Sequence, residues 1–272
     1  MLSLIVFLPL LAAVALAVIR VPEVVARWTW VTVTALDLLL VAVAWAAYRT
    51  PAPGQLALEE RYAWIPGVRS SYHVGVDGLS LPLVAMTAVV FLACAVYSVT
   101  DRDRPRSRAA LMLFLHSVSL GLFVAADLIL FFLFFDLTIV GMYFVIAGWG
   151  HGDAARSALK FFLYTFLGSL ALLLGFIGLY VAADPHTFDI PALVAAMPLR
   201  GSGLAGGLVL AAILLGLFVK TPTVPFHTWL PPAHTDAPAV GSAVLAAVLL
   251  KMGTYGFVRI AMPTLPEASR SW

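Results

Sequence analysis

Apolar residues dominate this chain in runs that are too long for the helices or strands of a soluble domain. They predict eight spans, at about 2–19, 29–48, 79–99, 109–125, 128–149, 159–182, 204–232 and 237–262. A helix needs about 20 apolar residues to cross a membrane, whereas a barrel strand needs about 10 alternating residues. Because the runs are continuous, the pattern predicts an all-α polytopic membrane protein with about eight transmembrane helices. The seventh span contains a break near 221–225.

The composition supports this interpretation. Hydrophobic residues make up 62% of the chain and charged residues 11%, whereas an ordinary soluble domain has about 25% charged residues. The net charge of +2 gives no indication of nucleic-acid binding. The single cysteine, Cys94, excludes an intrachain disulfide, an iron–sulfur cluster and a four-cysteine zinc site, and we expect a packed thiol. The first run has no basic residues before it, which favours a retained helix, although ALA at 15–17 leaves a cleaved signal peptide as an alternative.

Basic residues in the loops predict the orientation in the membrane, because cytoplasmic loops are enriched in lysine and arginine. The two sides of the predicted topology differ modestly in these residues. One side holds Arg20, Arg27, Arg102, Arg104, Arg106, Arg108, Arg156 and Lys160, and the other holds Arg49, Arg61, Arg69, Arg200, Arg259 and Arg270. We expect the first side to be cytoplasmic, both ends of the chain to lie outside, and the long connection 49–78 to form an ordered external loop.

Two lysines lie within apolar spans. Lys220 ends a purely apolar run and precedes Pro222 and Pro225, and Lys251 lies in the middle of the next run. Each placement costs roughly 2.5–3.5 kcal/mol on insertion scales, so chance retention is a poor explanation. A proline-broken helix beside a helix with a central lysine is typical of an ion pathway.

Asp136 lies about one third of the way along the fifth span and needs a cationic partner or a bound proton there. Burial favours the neutral form of a lysine and a nearby carboxylate favours the charged form, so Asp136 and Lys220 could switch each other's protonation. A fixed ion pair between two helices is the alternative. Asp127, nine residues earlier, is on the opposite face near the interface, and a solvated helix end is its commoner explanation.

Other polar residues leave alternatives open. Lys251, Thr254 and Tyr255 follow one another at helical spacing and predict a polar stripe on the eighth span. His227 and His234 flank TWLPPA after the break, and each is as compatible with a proton relay as with a simple contact between helices. No familiar zinc-ligand spacing is present. For Asp37 and His116, a hydrogen-bonded contact between helices is the commoner explanation.

Several segments resemble the antiporter-like subunit M family (chain 4) of proton-pumping NADH–quinone oxidoreductase, respiratory complex I. They are VGVDGLSLPL, LFFDLTIVGMYFVIAGWG, KFFLYTFLGS, VKTPTVPFHTWLPPAHTDAP and GSAVLAAVLLKMGTYGFVRI. The resemblance covers most of 74–262 and is most specific from Lys220 onward. HTDAP followed by LLKMGTYG is more similar to subunit M than to its relative, subunit L.

The resemblance implies roles for individual residues. Asp136 takes the position of the family's essential glutamate, Lys220 that of the lysine at the helix break, and Lys251 that of the lysine of the eighth helix. His227 and His234 match the family's FHxWLPxAH context. The sequence departs from the family in three places. Asp136 is one methylene shorter than glutamate, Gly141 replaces a usual proline, and Pro232 replaces a usual aspartate.

The resemblance also implies an organisation. Family members have about fourteen helices with two inverted five-helix repeats, so we expect 1–100 to be a three-helix membrane segment and 101–272 the first antiporter-like repeat. The second repeat is absent from the sequence, so a fragment, a truncated gene product, or completion by a second chain are the alternatives.

The expected function is that of a membrane-arm subunit of NADH–quinone oxidoreductase in a bacterial cytoplasmic membrane, which moves protons while partner subunits transfer electrons. Flavin, iron–sulfur clusters and quinone are expected in those partners, with no cofactor, metal or redox centre in this chain. The alternatives are a subunit of a multi-subunit sodium/proton antiporter or of a membrane-bound hydrogenase, and a non-conducting scaffold. Lysines within the membrane argue against the scaffold, which gives no reason to tolerate them.

Overall fold

Apolar helices occupy all eight predicted spans in the computed structural model, which describes residues 1–52, 54–201 and 203–271. Seven helices of this part of the chain are long and apolar enough to cross a membrane, and Leu2–Val18 is a shorter apolar helix. In chain order the elements are α1 (Leu2–Val18), α2 (Glu23–Ala47), β1 (Ala57–Ile65), β2 (Ser70–Val76), α3 (Ser80–Tyr97), α4 (Pro105–Val124), α5 (Leu128–Trp149), α6 (Ala154–Ala182), α7 (Ile190–Ala196), α8 (Gly203–Lys220), α9 (Leu230–Asp236), α10 (Ala239–Thr264) and α11 (Pro266–Ser271).

Three helices begin before the predicted spans. The first two turns of α2, α4 and α6 contain Arg27, Arg106 and Arg156, which hydropathy assigns to loops. Arginine can keep its stem along an apolar helix while its guanidinium reaches water, so helical structure extends beyond the apolar run. The pattern of apolar residues therefore marks the hydrocarbon region rather than the ends of the helices.

α4 is the central helix of the bundle. It packs against α1, α2 and α3 on one side and against α5 on the other, while α6 joins α5 to α8. The α4 residues from Leu115 to Val124 are all buried. The N-terminal helices and the helices around the break in the seventh span thus share one continuous core.

The long connection before α3 is ordered, as predicted, but it contains two strands that the sequence analysis did not predict. β1 and β2 pair antiparallel, with Tyr62 opposite Tyr72, and Arg69 adopts a left-handed conformation (φ 51°) in the turn. The backbone N–H of Ala126 donates to the carbonyl of His73 at 2.8 Å. The hairpin is therefore attached to the chain immediately before α5.

Contacts between loops agree with the predicted alternation of sides. Glu60 of the hairpin contacts the amino group of Met1, while Arg106 donates to the carbonyl oxygens of Leu16 and Ala17 at the other end of α1. On that second side, the N–H of His151 donates to the carbonyl of Asp236 at 2.8 Å. Which of the two sides faces the cytoplasm remains a prediction.

The eighth predicted span is one helix, α10, with two π-helical turns at Leu245–Leu249 and Phe257–Ala261. Each π turn contains an extra residue and changes which face of the helix the following side chains occupy. Lys251 lies in the regular segment Leu250–Gly256 between these turns.

Candidate functional site

Small residues bring α6 and α8 close together and so place the end of α8 inside the bundle. A Cβ atom on Gly216 would lie 2.7 Å from the carbonyl oxygen of Gly168, and one on Gly168 would lie 2.8 Å from the Cβ of Val219. Glycine permits this close packing of membrane helices. The next residue, Lys220, therefore ends α8 in the protein interior, where it is only 2% exposed.

The break in the seventh span begins immediately after Lys220, as predicted, and extends further than its two prolines. Pro222 has no N–H to donate to Phe218 four residues earlier, and the N–H of Thr223 donates to that carbonyl instead at 3.2 Å. Residues 221–229 form turns, and helical structure resumes with the short α9 at Leu230. The prediction of lost helical bonding at Thr221–Pro225 is confirmed.

Trp229 closes the break. Its indole Nε1 donates to the carbonyl oxygen of Val219 at 2.9 Å, its side chain is fully buried, and its ring packs against Phe161 with 5.3 Å between centroids. In a continuous helix the carbonyl of Val219 would accept a hydrogen bond from the N–H of Thr223. Here that N–H donates to the carbonyl of Phe218 instead. The indole therefore satisfies an acceptor that the break would leave without a partner.

α10 packs directly against the break. A Cβ atom on Gly253 would lie 2.7 Å from the carbonyl oxygen of Leu217 and 2.9 Å from the backbone nitrogen of Thr221. The Thr221 hydroxyl also donates to the carbonyl of Leu250 at 3.5 Å. This contact needs glycine at position 253, because any side chain would collide with backbone.

The ammonium of Lys220 is held against α5. Its Nζ donates to the Thr138 hydroxyl oxygen at 2.9 Å and lies 4.6 Å from the centre of the Phe135 ring. The Thr138 hydroxyl donates in turn to the carbonyl of Phe135 at 2.7 Å. Neither Phe135 nor Thr138 was predicted as a contact of Lys220, although both lie within two residues of Asp136 on α5. Together they fix the position of the lysine ammonium.

Asp136 lies beside this contact without a direct ion pair. In the described part of the chain its carboxylate does not come within ion-pairing distance of Lys220, but the two charges interact electrostatically. The Ser169 hydroxyl of α6 also lies close to the Asp136 carboxylate. The Oδ1 atom of Asp136 is buried and, among the described residues, has no hydrogen-bond partner.

The sequence predicts that the Asp136 carboxylate and the Lys220 ammonium face one another within direct or single-water reach. The structure shows no direct ion pair, because Thr138 is the lysine's hydrogen-bond partner, but Asp136 lies near enough to interact electrostatically with Lys220. The physical reason is side-chain reach, because aspartate is one methylene shorter than glutamate. The alternative of a fixed ion pair is not supported in this conformation. The roles of both residues remain a prediction.

Lys251 occupies a different environment. It and Thr254 are exposed on the surface of the chain, whereas Tyr255 is buried and its hydroxyl donates to the carbonyl of Phe123 at 3.0 Å. The expected stripe of three polar residues is therefore divided between an outer and an inner face of α10. Lys251 has no hydrogen bond or ion pair to any described residue.

The two histidines are half-buried; His227 lies within the last part of the break and His234 follows it. The Nδ1 atom of His227 is buried and has no hydrogen-bond partner among the described residues. His234 lies on α9, and its carbonyl accepts a hydrogen bond from the Ser242 hydroxyl at 2.9 Å. The structure does not bring either ring into hydrogen-bonding contact with Lys220 or Lys251 in the part of the chain that it describes.

The remaining acidic residues also have defined positions. Asp127 lies at a helix end as expected, immediately before α5, but it is buried rather than solvated. It caps α5 through the N–H of Ile129 at 2.9 Å and accepts from the hydroxyl of Ser70, also at 2.9 Å, in the hairpin. Asp37 and His116 approach each other between α2 and α4 at 3.2 Å, as expected for a contact between helices, although the expected hydrogen bond between them is not formed. Among the described residues no group of three or more His, Cys, Asp or Glu could hold a metal ion.

Comparison with known proteins gives concordant matches. The family model described as "NADH:quinone oxidoreductase/Mrp antiporter, TM" matches residues 125–272. The NADH-quinone oxidoreductase subunit M of Rickettsia prowazekii is 40% identical over 217 residues, which cover 78% of this chain and 43% of the relative. The subunit M of Rhodobacter capsulatus is 38% identical over 286 residues, with 100% of this chain and 55% of the relative covered.

A chain of respiratory complex I from Thermus thermophilus, solved with bound NADH, has the same fold. Its TM-score is 0.87 at 28% identity, and the match covers 100% of this chain and 55% of that chain. The sequence described here thus spans about half the length of the relatives that it matches.

Proposed function

Because the chain belongs to the NADH:quinone oxidoreductase/Mrp antiporter membrane family, we propose that it is a membrane-arm subunit of a proton-translocating NADH–quinone oxidoreductase. In this proposal partner subunits hold the flavin, iron–sulfur clusters and quinone, and this chain has no redox centre. The complex would lie in a bacterial cytoplasmic membrane. Residues 1–100 would form a three-helix membrane segment that packs against the rest of the bundle, and 101–272 would form one proton-conducting repeat.

The observation that carries the proposal is the position of Lys220. A fully charged lysine that is 2% exposed at the end of a broken helix is costly, and a single hydroxyl partner among the described residues offsets only part of that cost. Asp136 lies near enough to influence the charge. A proton that moves onto or off Lys220 therefore changes the electrostatic energy of Asp136, and the reverse also holds.

The other three candidate residues would act beyond this pair. His227 lies in the break and has a buried ring nitrogen without a hydrogen-bond partner among the described residues, which is compatible with passing a proton towards Lys220. His234 would take part from α9 in the same way. Lys251, on the exposed face of α10, would pass the proton out of the helices described here.

The test is proton pumping by the complete complex in inverted membrane vesicles, measured beside NADH oxidation with an artificial electron acceptor. Lys220→Ala and Asp136→Ala should each impair pumping and leave acceptor reduction intact, because electron transfer uses the partner subunits. Moving one proton against 100 mV costs about 2.3 kcal/mol, which is comparable with the effect of removing one charged neighbour. Pumping by Lys220→Ala at the wild-type proton-to-electron ratio would show that Lys220 is structural.

Two conservative variants sharpen this test. Asp136→Glu should pump normally, because it keeps the charge and lengthens the side chain towards Lys220. Lys220→Arg should pump poorly, because arginine keeps its proton at any accessible pH. Normal pumping by Lys220→Arg would mean that the residue supplies a fixed charge and does not transfer protons.

A sodium/proton antiporter subunit is the second candidate, since the description of the matched family also includes Mrp antiporters. Transport by this alternative would continue without NADH oxidation and would depend on sodium. Sodium-driven proton movement in vesicles that lack NADH would favour the antiporter, and strict dependence on NADH would favour the oxidoreductase.

A further inference from the structure

Asp37 and His116 form a second buried ionisable pair, at a distance from the break in the seventh span. Asp37 lies near the middle of α2 and His116 near the middle of α4. Both side chains are completely buried, and Oδ2 of the aspartate is 3.2 Å from Nε2 of the histidine. The pair therefore lies deep within the predicted membrane region.

Apolar groups enclose the pair. The Phe91 ring of α3 stacks on the His116 ring, with 4.6 Å between centroids and 13° between planes. One turn before Asp37, the Thr34 hydroxyl is bonded to the carbonyls of its own helix at Trp30 and Val31. The nearest hydroxyl on α2 is thus committed elsewhere and cannot stabilise a charge on Asp37.

Other ionisable groups on the surrounding helices lie elsewhere. α1 has none within Leu2–Val18. The remaining helices contribute Glu23 and Arg27 on α2, Cys94 and Tyr97 on α3, Arg106 and Arg108 on α4, Asp136 and Tyr143 on α5, and Lys251, Tyr255 and Arg259 on α10. Those of α2 and the two arginines of α4 lie within the first two turns of their helices, and Tyr97 ends α3. Within the described residues the only ion pair of Asp37 or His116 is the one that they form with each other.

The polar atoms of the pair are not yet satisfied. Both carboxylate oxygens of Asp37, both ring nitrogens of His116 and the hydroxyl of Ser119, one turn further along α4, have no well-aligned hydrogen bond to any described residue. Because Oδ2 and Nε2 are already within hydrogen-bonding distance, a small reorientation of the imidazole completes a bond between them. Buried polar atoms that remain unbonded are costly, so the pair is driven towards that bond.

The number of protons on the pair decides its charge. With no titratable proton the pair has a charge of −1, with two it has +1, and with one it is neutral. An uncompensated charge is strongly disfavoured in an apolar interior, so the one-proton state is the stable one. That proton can sit on Oδ2 or on Nε2 without changing the net charge.

We propose that Asp37 and His116 form a proton-binding site, separate from Lys220 and Asp136, that holds one proton shared between Oδ2 and Nε2. Transfer breaks the O–H bond of the carboxylic acid as the N–H bond of the imidazolium forms, and the reverse step restores the acid. Charge thereby moves between α2 and α4 while the site remains neutral. The N-terminal helices then hold a mobile proton in the membrane interior and do more than pack against the rest of the bundle.

The experiment is nitrogen-15 magnetic resonance of the histidine rings, recorded on the full chain in lipid bilayers. The His116 signal is assigned by its loss in His116→Gln. In the wild type we expect its ring shifts to lie between those of neutral and charged imidazole and to stay constant from about pH 5 to 9, since free histidine titrates near 6.5. A signal that titrates in this range like free histidine would overturn the proposal, and the pH series itself is recorded on the wild type.

Two variants test the sharing. Asp37→Asn removes the proton acceptor, so His116 should shift to the neutral pattern at both ring nitrogens. Asp136→Asn is the matched control, an equivalent change at the other buried aspartate, and it should leave the His116 signal in place. An unchanged signal in Asp37→Asn, or the same shift in both variants, would show that no proton is shared at a separate site.

Discussion

At the scale of single residues, the Thr138 hydroxyl fixes where the Lys220 ammonium lies. Thr138 lies two residues from Asp136 on α5, is fully buried, and accepts the hydrogen bond of the Lys220 ammonium at 2.9 Å. The lysine and the aspartate could be identified from the sequence because charges are conspicuous in apolar spans. Thr138 could not, since threonine is common in membrane helices and the contact joins residues 82 positions apart.

Thr138→Val tests whether this hydroxyl positions the proton carrier. The variant keeps the branched shape of the side chain and removes the hydrogen-bond acceptor for Lys220. A hydrogen bond to a charged group contributes about 1.5–3 kcal/mol, so proton pumping should slow by roughly tenfold or more and its pH dependence should shift. Pumping and its pH profile are measured in vesicles.

Thr165→Val is the control for this change. Thr165 is also buried, at 1% exposure, but its hydroxyl donates to the carbonyl of Phe161 in its own helix. Its loss should leave the pH profile unchanged. Equal effects of the two substitutions would mean that Thr138 contributes only to packing.

At the scale of elements, the membrane-spanning helices and the break could be predicted from the sequence, whereas the hairpin and the full extent of the break could not. The spans and the break after Lys220 follow from apolar length and from prolines, which are local signals. The β1–β2 hairpin was not predicted, although aromatic and β-branched residues flank the Pro66–Gly67 turn, because its strands lie outside the long apolar runs that mark the spans. The extension of the break to Trp229 depends on a hydrogen bond between residues ten apart, which no local pattern encodes.

Trp229→Phe tests the closing of the break. The variant keeps an aromatic ring against Phe161 and removes the indole N–H, which leaves the buried carbonyl of Val219 without that donor. Loss of a partner for a buried acceptor costs about 1–3 kcal/mol, so thermal unfolding in detergent should occur at a lower temperature.

Trp30→Phe provides a matched control because it removes a buried indole of the same size. Trp30 is 2% exposed, and its Nε1 has no hydrogen-bond partner among the described residues. Trp229→Phe should therefore destabilise the protein more than Trp30→Phe. If both substitutions cost the same, the lost ring volume rather than the hydrogen bond explains the effect.

At the scale of the whole molecule, polar contacts at the hairpin end of the bundle join segments that are distant in sequence. Arg259, near the end of α10, pairs with Asp77, which precedes α3 and also caps it through the N–H of Ser80 at 2.9 Å. His73 of the hairpin lies 2.7 Å from Asp189, which caps α7. These contacts could not be predicted from the sequence, because the signs of the charges do not identify which of several loop residues will meet.

The two lysines within apolar spans differ in burial. Lys220 is buried within the part that the structure describes, whereas Lys251 is exposed on α10. The relatives are about twice as long as the matched region. A charge exposed at the centre of an apolar helix is therefore consistent with a surface that the longer proteins cover, and the role of Lys251 remains a prediction of the sequence.

The pair of Asp77 and Arg259 gives the protein a pH-dependent stability. Burial alone would raise the pKa of Asp77, but the Arg259 guanidinium and the hydrogen bonds from Ser80 and Leu79 hold that pKa below the usual carboxyl value. A group with a lowered pKa in the folded state stabilises the fold above its unfolded pKa, and this stabilisation is lost as the pH falls through the folded value. The contribution is therefore complete at neutral pH and disappears on acidification below about pH 4.

Asp77→Asn should lower the unfolding temperature at neutral pH, because Arg259 loses its charged partner. The difference from the wild type should shrink as the pH falls, since the wild-type carboxyl then becomes neutral as well. Other acidic groups also titrate, so the measured quantity is this difference across a pH series. Asp103→Asn removes an exposed carboxylate that pairs with the exposed Arg104 and, at the longer distance of 3.8 Å, with Arg108, and it should cause a smaller change than Asp77→Asn at neutral pH. A difference between Asp77→Asn and wild type that stays constant down to strongly acidic pH would show that the Asp77 carboxylate does not stabilise the fold through its charge.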